Sequence, residues 1–221
     1  MARIVVIGGI ESTYHNVQAM HELGEDIAMF YTRGADSPGW EGVDMVDETR
    51  FSFAQQVPRT VVNGHINEHI EAIRALKPDV IYSLGWQQMY SRELLSICKV
   101  IGIHESLLPQ GAGAVPIANA ILHGVSVTGT TLFWLDSGPD TGAIIGQLQG
   151  VLDPRVSNST ALYREAIELG VALLRMYLPH INAGTAPAIP QDFSKRTAYG
   201  KADWRAWPAS VVERARVYPY V

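Results

Sequence analysis

Arg3-Ile4-Val5-Val6-Ile7-Gly8-Gly9 is an unbroken run of β-branched residues closed by two glycines. A strand wetted on one face alternates apolar with polar side chains, so a continuous run of this kind predicts a strand buried on both faces, the first of a parallel sheet. Outward from it the pattern alternates. A helix is expected over about Ser12–Leu23 and a strand over Asp26–Tyr31, followed by a stretch rich in Gly, Asp and Pro that reads as a long surface connection. A strand near Thr60–Val62 precedes a helix over about Ile66–Leu76. Lys77-Pro78-Asp79 then breaks the chain before a second buried-type strand, VIYSLG, at Val80–Gly85. A short helix over Arg92–Ile97 leads to a strand over Val100–His104. This βαβ grammar predicts an α/β, Rossmann-like fold: a mostly parallel open sheet with helices on both faces.

From Ser126 the character changes. Val127–Asp136 (VTGTTLFWLD) and Gly142–Leu152 (GAIIGQLQGVL) are extended runs around the turn-rich segment Ser137–Gly142, which extends the sheet, with antiparallel pairing open. Ser157-Asn158-Ser159 can cap a long helix running to about Leu178, where Pro179 is expected to end it. The reading is one main domain, residues 1–183, with a C-terminal tail, 184–221, that is Pro-rich and then aromatic and is too short to bury a core of its own.

The net charge of −5 offers no basic face for phosphates, so gripping a long nucleic acid is disfavoured and a small-molecule partner is expected. Cys98 is the single cysteine, so no internal disulfide forms, and it reads as a small buried apolar residue. The N-terminus lacks the shape of a signal peptide and no apolar stretch approaches the roughly 20 residues of a bilayer span, so no membrane partner and a cytoplasmic location are expected.

In an open α/β sheet the ligand crevice lies at the carboxyl ends of the strands, and His104 stands at such an end. Ile101-Gly102-Ile103-His104-Glu105-Ser106-Leu107-Leu108-Pro109 is followed about thirty residues later by Asp136-Ser137-Gly138-Pro139-Asp140-Thr141-Gly142. Together these segments resemble the N-x-H-x-S-L-L-P and D-x-G-x-D-T-G-like motifs of the formyltransferases that use N10-formyltetrahydrofolate, a family including glycinamide ribonucleotide, methionyl-tRNA and sugar-amine formyltransferases. Gly113-Ala114-Val115-Pro116-Ile117 and Gly129-Thr130-Thr131 follow the same pattern, and the resemblance covers most of Met1–Gln149. It implies that His104 and Asp140 are catalytic. It also implies that Trp86, Gln87, Gln88 and Met89 flank the pterin ring of the folate on one side and Asp136, Ser137 and Gly138 on the other.

An amine attacking a formyl carbon creates an oxyanion and a protonated nitrogen. The site must stabilise the first and relieve the second. By resemblance His104 takes part in both, with Asp140, if within hydrogen-bond reach, favouring the charged imidazole. The sequence departs from the family where its catalytic asparagine is expected: Gly102 stands there, and a lost donor of this kind costs on the order of 100- to 1000-fold in rate. Ala112 stands where relatives commonly carry arginine.

Other signals carry less. His65-Ile66-Asn67-Glu68-His69 fits H-x-x-E-H, but without a persuasive third ligand it is read as chance, and no metal is expected. Gly111-Ala112-Gly113 is a tight turn rather than a dinucleotide loop. Ser106 lacks a nucleophile elbow and is read as a loop brace at the edge of the substrate site. Glu11 either faces the acceptor or is a solvated carboxylate at a helix N-terminus.

Elimination narrows the acceptor. Gly8-Gly9-Ile10-Glu11-Ser12-Thr13 puts a carboxylate where glycinamide ribonucleotide enzymes hold a phosphate. Gln191-Asp192-Phe193-Ser194-Lys195 with Asp203-Trp204 resembles only the start of the methionyl-tRNA enzymes' linker. A nucleotide-linked amino sugar is the acceptor that remains. A folate-binding protein or a formyl-tetrahydrofolate hydrolase is the alternative, given Gly102. The aromatic tail, with Trp204, Trp207, Tyr218 and Tyr220, either covers a neighbour in a homodimer or docks on its own domain.

Overall fold

The computed structural model describes residues 2–38, 45–200 and 204–216. Tyr218, Tyr220, Asp203 and the side chain of Trp204 lie outside the described residues. Strand β1 (Arg3–Gly8) sits centrally, and its four apolar residues Ile4, Val5, Val6 and Ile7 are each 0% exposed. Side chains alternate across a strand, so each face needs its own cover. Ile4 and Val6 join a cluster with Tyr14, Val17 and Met20 of α1 (Glu11–Glu22) and Leu173, Leu174 and Leu178 of α5 (Ser159–Asn182). Val5 and Ile7 join a second cluster, with Ile70 and Ile73 of α2 (Ile70–Ala75) and Leu94 of α3 (Arg92–Leu95).

β1 pairs in parallel with β2 (Asp26–Arg33) on one side and β4 (Val80–Leu84) on the other. Beyond β2 lies β3 (Arg59–Val62), and beyond β4 come β5 (Lys99–His104), β7 (Gly129–Trp134) and β8 (Ile144–Gln149), giving a seven-stranded sheet of order β3-β2-β1-β4-β5-β7-β8. β7 is antiparallel to both β5 and β8. The expected Rossmann-like sheet with helices on both faces is therefore present, and the extension past β5 is antiparallel. Strand order reverses between β1 and β4, which opens a crevice at their carboxyl ends.

Two local expectations need correction. The helix expected over Ile66–Leu76 begins as a tight 3₁₀ turn, Ile66–His69, before α2. His65 Nδ1 accepts from the Asn67 N–H at 3.2 Å and Glu68 Oε1 from the His65 N–H at 3.2 Å, so two members of the H-x-x-E-H stretch form a capping box. Pro179 does not end α5. It lacks one donor, its φ suits a helix, and burial of Leu178 and Ile181 on either side draws the last turn inward, with the Ala183 N–H donating to the Pro179 carbonyl at 3.0 Å.

Two shorter elements complete the site's surroundings. β6 (Ala112–Gly113) pairs in parallel with β9 (Ala198–Tyr199), joining the tail to the loop after His104. α4 (Pro116–Leu122) packs against α6 (Ala209–Arg216), and Trp207 meets His123 edge-on at 4.9 Å, so this part of the tail docks on its own chain. Among the described residues no helix is long and apolar enough to cross a membrane.

Candidate active site

The crevice widens into a cavity of about 420 Å³ at the carboxyl ends of β4 and β5. Gly85, at φ +62°, turns the chain out of β4 beneath Ile10, whose side chain fills the space a Cβ would need. Trp86, Gln87, Gln88 and Met89 follow as one part of its lining, and Asp136, Gly138, Pro139 and Asp140 form another. Ile10, Val115, Ile117 and Tyr163 line the apolar end toward α4 and α5. The lining contains no lysine or arginine among the described residues.

His104 and Asp140, the two residues expected to be catalytic, both line this cavity. His104 is almost buried, and its Nε2 lies 2.9 Å from the Gly111 carbonyl. A carbonyl only accepts, so Nε2 carries the proton; in the neutral ring Nδ1 is then the free acceptor. Nδ1 faces Asp140 Oδ1 at 3.8 Å, a charge contact beyond hydrogen-bond length. Asp140 Oδ2 accepts from the Gly113 N–H at 2.7 Å, and the residue holds the left-handed φ of +53°, uncommon for a side chain other than glycine.

Sequence-predicted residues divide between cavity and frame. His104, Gly102, Trp86, Gln87, Gln88, Met89, Asp136, Gly138 and Asp140 line the cavity; Ser137, Glu11 and Ser106 do not. The Gln88 amide donates to the carbonyls of Gly64 and Pro38 and accepts from the Ile66 N–H, so it ties this part of the lining to its neighbours. Asp136 Oδ1 accepts from the Gly138 N–H at 3.0 Å and the Thr141 hydroxyl at 2.5 Å, shaping its own loop. Ser106 braces its loop by donating to the Gln110 carbonyl at 2.7 Å. Glu11 is engaged by Arg50 at 2.5 Å and lies 3.3 Å from His15, at the start of α1.

Gly102 has a physical reason to be glycine. It pairs with Phe133 across the β5–β7 ladder, and a Cβ there would come within 2.3 Å of Leu135 Cδ1 and 2.9 Å of Phe133 Cε1. Residues 102 and 104 share one face of β5 by strand alternation. The space beside His104 on that face is therefore occupied by hydrocarbon from Leu135 and Phe133.

Glu105 and Tyr90 are among the lining residues that the sequence did not single out. Burial pushes the Glu105 carboxyl above the usual glutamate range, against the pull of His104 and with the push of Asp140. Burial likewise raises the Tyr90 hydroxyl, which stays a donor to Ser83 Oγ at 2.6 Å. Glu105 had a signal available, its place next to His104 in the quoted motif; Tyr90 had none.

The sequence profile of the formyl transferase family matches residues 2–175. The chain belongs to this family. Among curated relatives, methionyl-tRNA formyltransferase of Chloroflexus aggregans is 38% identical over 156 residues, covering 66% of this chain and 50% of the relative. The Chloroflexus aurantiacus protein of the same name is 36% identical over 227 residues, covering 96% and 71%. The chain thus spans about half of the first relative's length. Among solved structures, a 4-N formyltransferase from Francisella tularensis superposes with a TM-score of 0.75 at 16% identity, covering 100% of this chain and 90% of that one. An N-formyltransferase from Helicobacter canadensis, in complex with folinic acid and dTDP-3-aminofucose, gives 0.71 at 19% identity, covering 91% and 71%. At these identities the structures speak to the shared fold.

Within this formyl transferase fold, two consequences can be measured. Gly102→Asn, which would place the carboxamide that the motif resemblance implies, forces Leu135 aside; it is expected to destabilise the protein by about 1–3 kcal/mol and to lower turnover, by thermal melting and assay. A variant as stable as the parent and faster would contradict this packing. A carboxyl whose folded pKa is raised contributes stability at low pH that is lost as pH climbs above the ordinary glutamate value of about 4.3. Urea unfolding between pH 4.5 and 7.5 should therefore show a decline that Glu105→Gln flattens; identical slopes would mean Glu105 is solvated.

Proposed function

We propose that this chain transfers the formyl group of N10-formyltetrahydrofolate to the primary amine of a small molecule, with a nucleotide-linked amino sugar as the acceptor class. The observation that carries the reading is the His104–Asp140 pair, His104 at the end of β5 and Asp140 in the turn after β7, in a cavity also lined by Trp86–Met89, Asp136 and Gly138. A neutral ring with several N–H donors suits such a lining: apolar surface flanked by carboxylates and, among the described lining residues, no lysine or arginine.

The chemistry follows from the tautomer. Nε2 is committed to the Gly111 carbonyl, so Nδ1 is the atom free to take the proton that the attacking amine loses. Asp140 beside Nδ1 stabilises the charge that results. Nδ1–H then serves as donor to the oxygen bearing negative charge and as the source of the proton that N10 needs when its bond to the formyl carbon breaks. The proton count closes: one leaves the amine and one reaches N10.

The acceptor reading leans on the net charge of −5, which opposes tRNA, with a charge at every nucleotide, far more than a sugar carrying a single diphosphate. A second reading, a folate-binding protein or a hydrolase that releases formate, is favoured by one observation. Leu135 and Phe133 offer hydrocarbon where the family places a carboxamide donor.

The test is incubation of N10-formyltetrahydrofolate with a panel of nucleotide-linked amino sugars and with methionyl-tRNA. Formylated sugar is expected, with His104→Ala and Asp140→Ala each reducing turnover at least about 100-fold while the unfolding midpoint stays within a few degrees. Formylated tRNA alone would replace the acceptor, formate release without any amine would favour the hydrolase, and near-normal turnover in either variant would remove these residues from the mechanism.

A further inference from the structure

Both partners of the His104–Asp140 pair are held by one stretch of chain that lies far from them in sequence. Gln191, 8% exposed, donates from Nε2 to the carbonyl of Asp140 at 3.0 Å and to that of Gly142 at 2.7 Å. Arg196 reaches the same turn, Nη1 donating to the Asp140 carbonyl at 3.2 Å and Nη2 to the Pro139 carbonyl at 2.8 Å. Asp140 sits in the left-handed region, so its orientation is not one the free turn prefers. The bonds to its carbonyl oppose relaxation.

The same stretch fixes the loop that touches the pair directly. Thr197 Oγ1 accepts from the Gly111 N–H at 2.8 Å, its carbonyl accepts from the Ala112 N–H at 2.9 Å, and the Tyr199 carbonyl accepts from the Ala114 N–H at 3.0 Å. Gly113, at φ +98°, lies so close to Tyr199 that a Cβ would sit 2.1 Å from its carbonyl oxygen. From this loop come the Gly111 carbonyl that fixes the His104 tautomer and the Gly113 N–H that orients the Asp140 carboxylate.

We propose that residues 191–200 act as a clasp in which Gln191 and Arg196 are positioning residues for the His104–Asp140 pair. A role in stability alone explains Gln191 poorly. Its Oε1 is buried with no hydrogen-bond partner among the described residues, an arrangement that costs free energy and that an apolar residue would avoid. What the amide supplies is two donors aimed at the backbone of the catalytic turn. The inference rests on the formyl-transfer reading for its kinetic consequences and on geometry alone for its structural one.

The test uses the full chain with Gln191→Glu, Arg196→Ala and Arg196→Lys. Glutamate keeps the shape of Gln191 but removes its donors, whereas lysine restores a donor to the turn. With an accepted amine, Gln191→Glu and Arg196→Ala should each lower kcat by at least about tenfold, keep KM for N10-formyltetrahydrofolate within about twofold, and shift the ¹⁵N ring signals of His104. Arg196→Lys should recover most of the kcat. Parent-like kcat in both donor-removing variants, or unchanged His104 signals in both, would overturn the clasp. Should Gln191→Glu fail to fold, the two Arg196 variants decide. Should no amine be formylated by the parent chain, the formyl-transfer reading fails, and the His104 signals alone support or overturn the clasp.

Discussion

Ile4, Val5, Val6 and Ile7 all have to leave water, and their side chains alternate between opposite faces of one strand. Covering only one face of β1 would leave two of the four in solvent, at roughly 1.5–3 kcal/mol each. Helices must therefore pack on both faces, and parallel neighbours linked by crossovers deliver them there. The first crossovers lead away through β2 to β3, and the chain then returns to lay β4 along β1's other edge. The crevice is where those two directions part. Everything later placed in it, from the Gly85 turn to the end of β5, is carried by strands that the burial of β1 aligns.

Chemistry enters where the sheet stops. His104 is the last residue of β5, paired with Thr131 across the ladder, so its backbone is held by the sheet while the residue lines the cavity. The Gly111 carbonyl then settles which ring nitrogen is free, and Asp140 supplies charge beside that nitrogen without a direct hydrogen bond. Gly102 shows the reverse influence, of packing on chemistry. The end of β7 and the residue after it bring Phe133 and Leu135 over β5, and a side chain at 102 would have to displace them. The glycine at 102 is thus a matter of packing between two strands rather than of one position.

Much of this was legible in the sequence because it depends on local pattern. The buried run of β1, the breaker at Lys77-Pro78-Asp79 and the paired motifs around His104 and Asp140 mark elements and their order through side-chain type and spacing. Pro179 misled because the rule that proline ends a helix concerns local bonding, while Leu178 and Ile181 are held by the core. The 3₁₀ start at Ile66 turned on a cap formed by His65 and Glu68, residues that the eye takes for a metal motif. Gln191 and Arg196 were invisible for a different reason. Their partners are backbone carbonyls about fifty residues upstream, and carbonyls have no sequence signature.

The central claim is that a formyl carbon moves from a folate nitrogen to an amine in the cavity lined by Trp86 and Asp140. Following ¹³C in N10-[¹³C]formyltetrahydrofolate by NMR, with the chain and an accepted amine present, addresses it most directly. The account predicts that the label leaves the folate and appears as a formamide carbon on the amine, at a rate proportional to the chain's concentration. Label that stays on folate, or appears only as free formate, would contradict it.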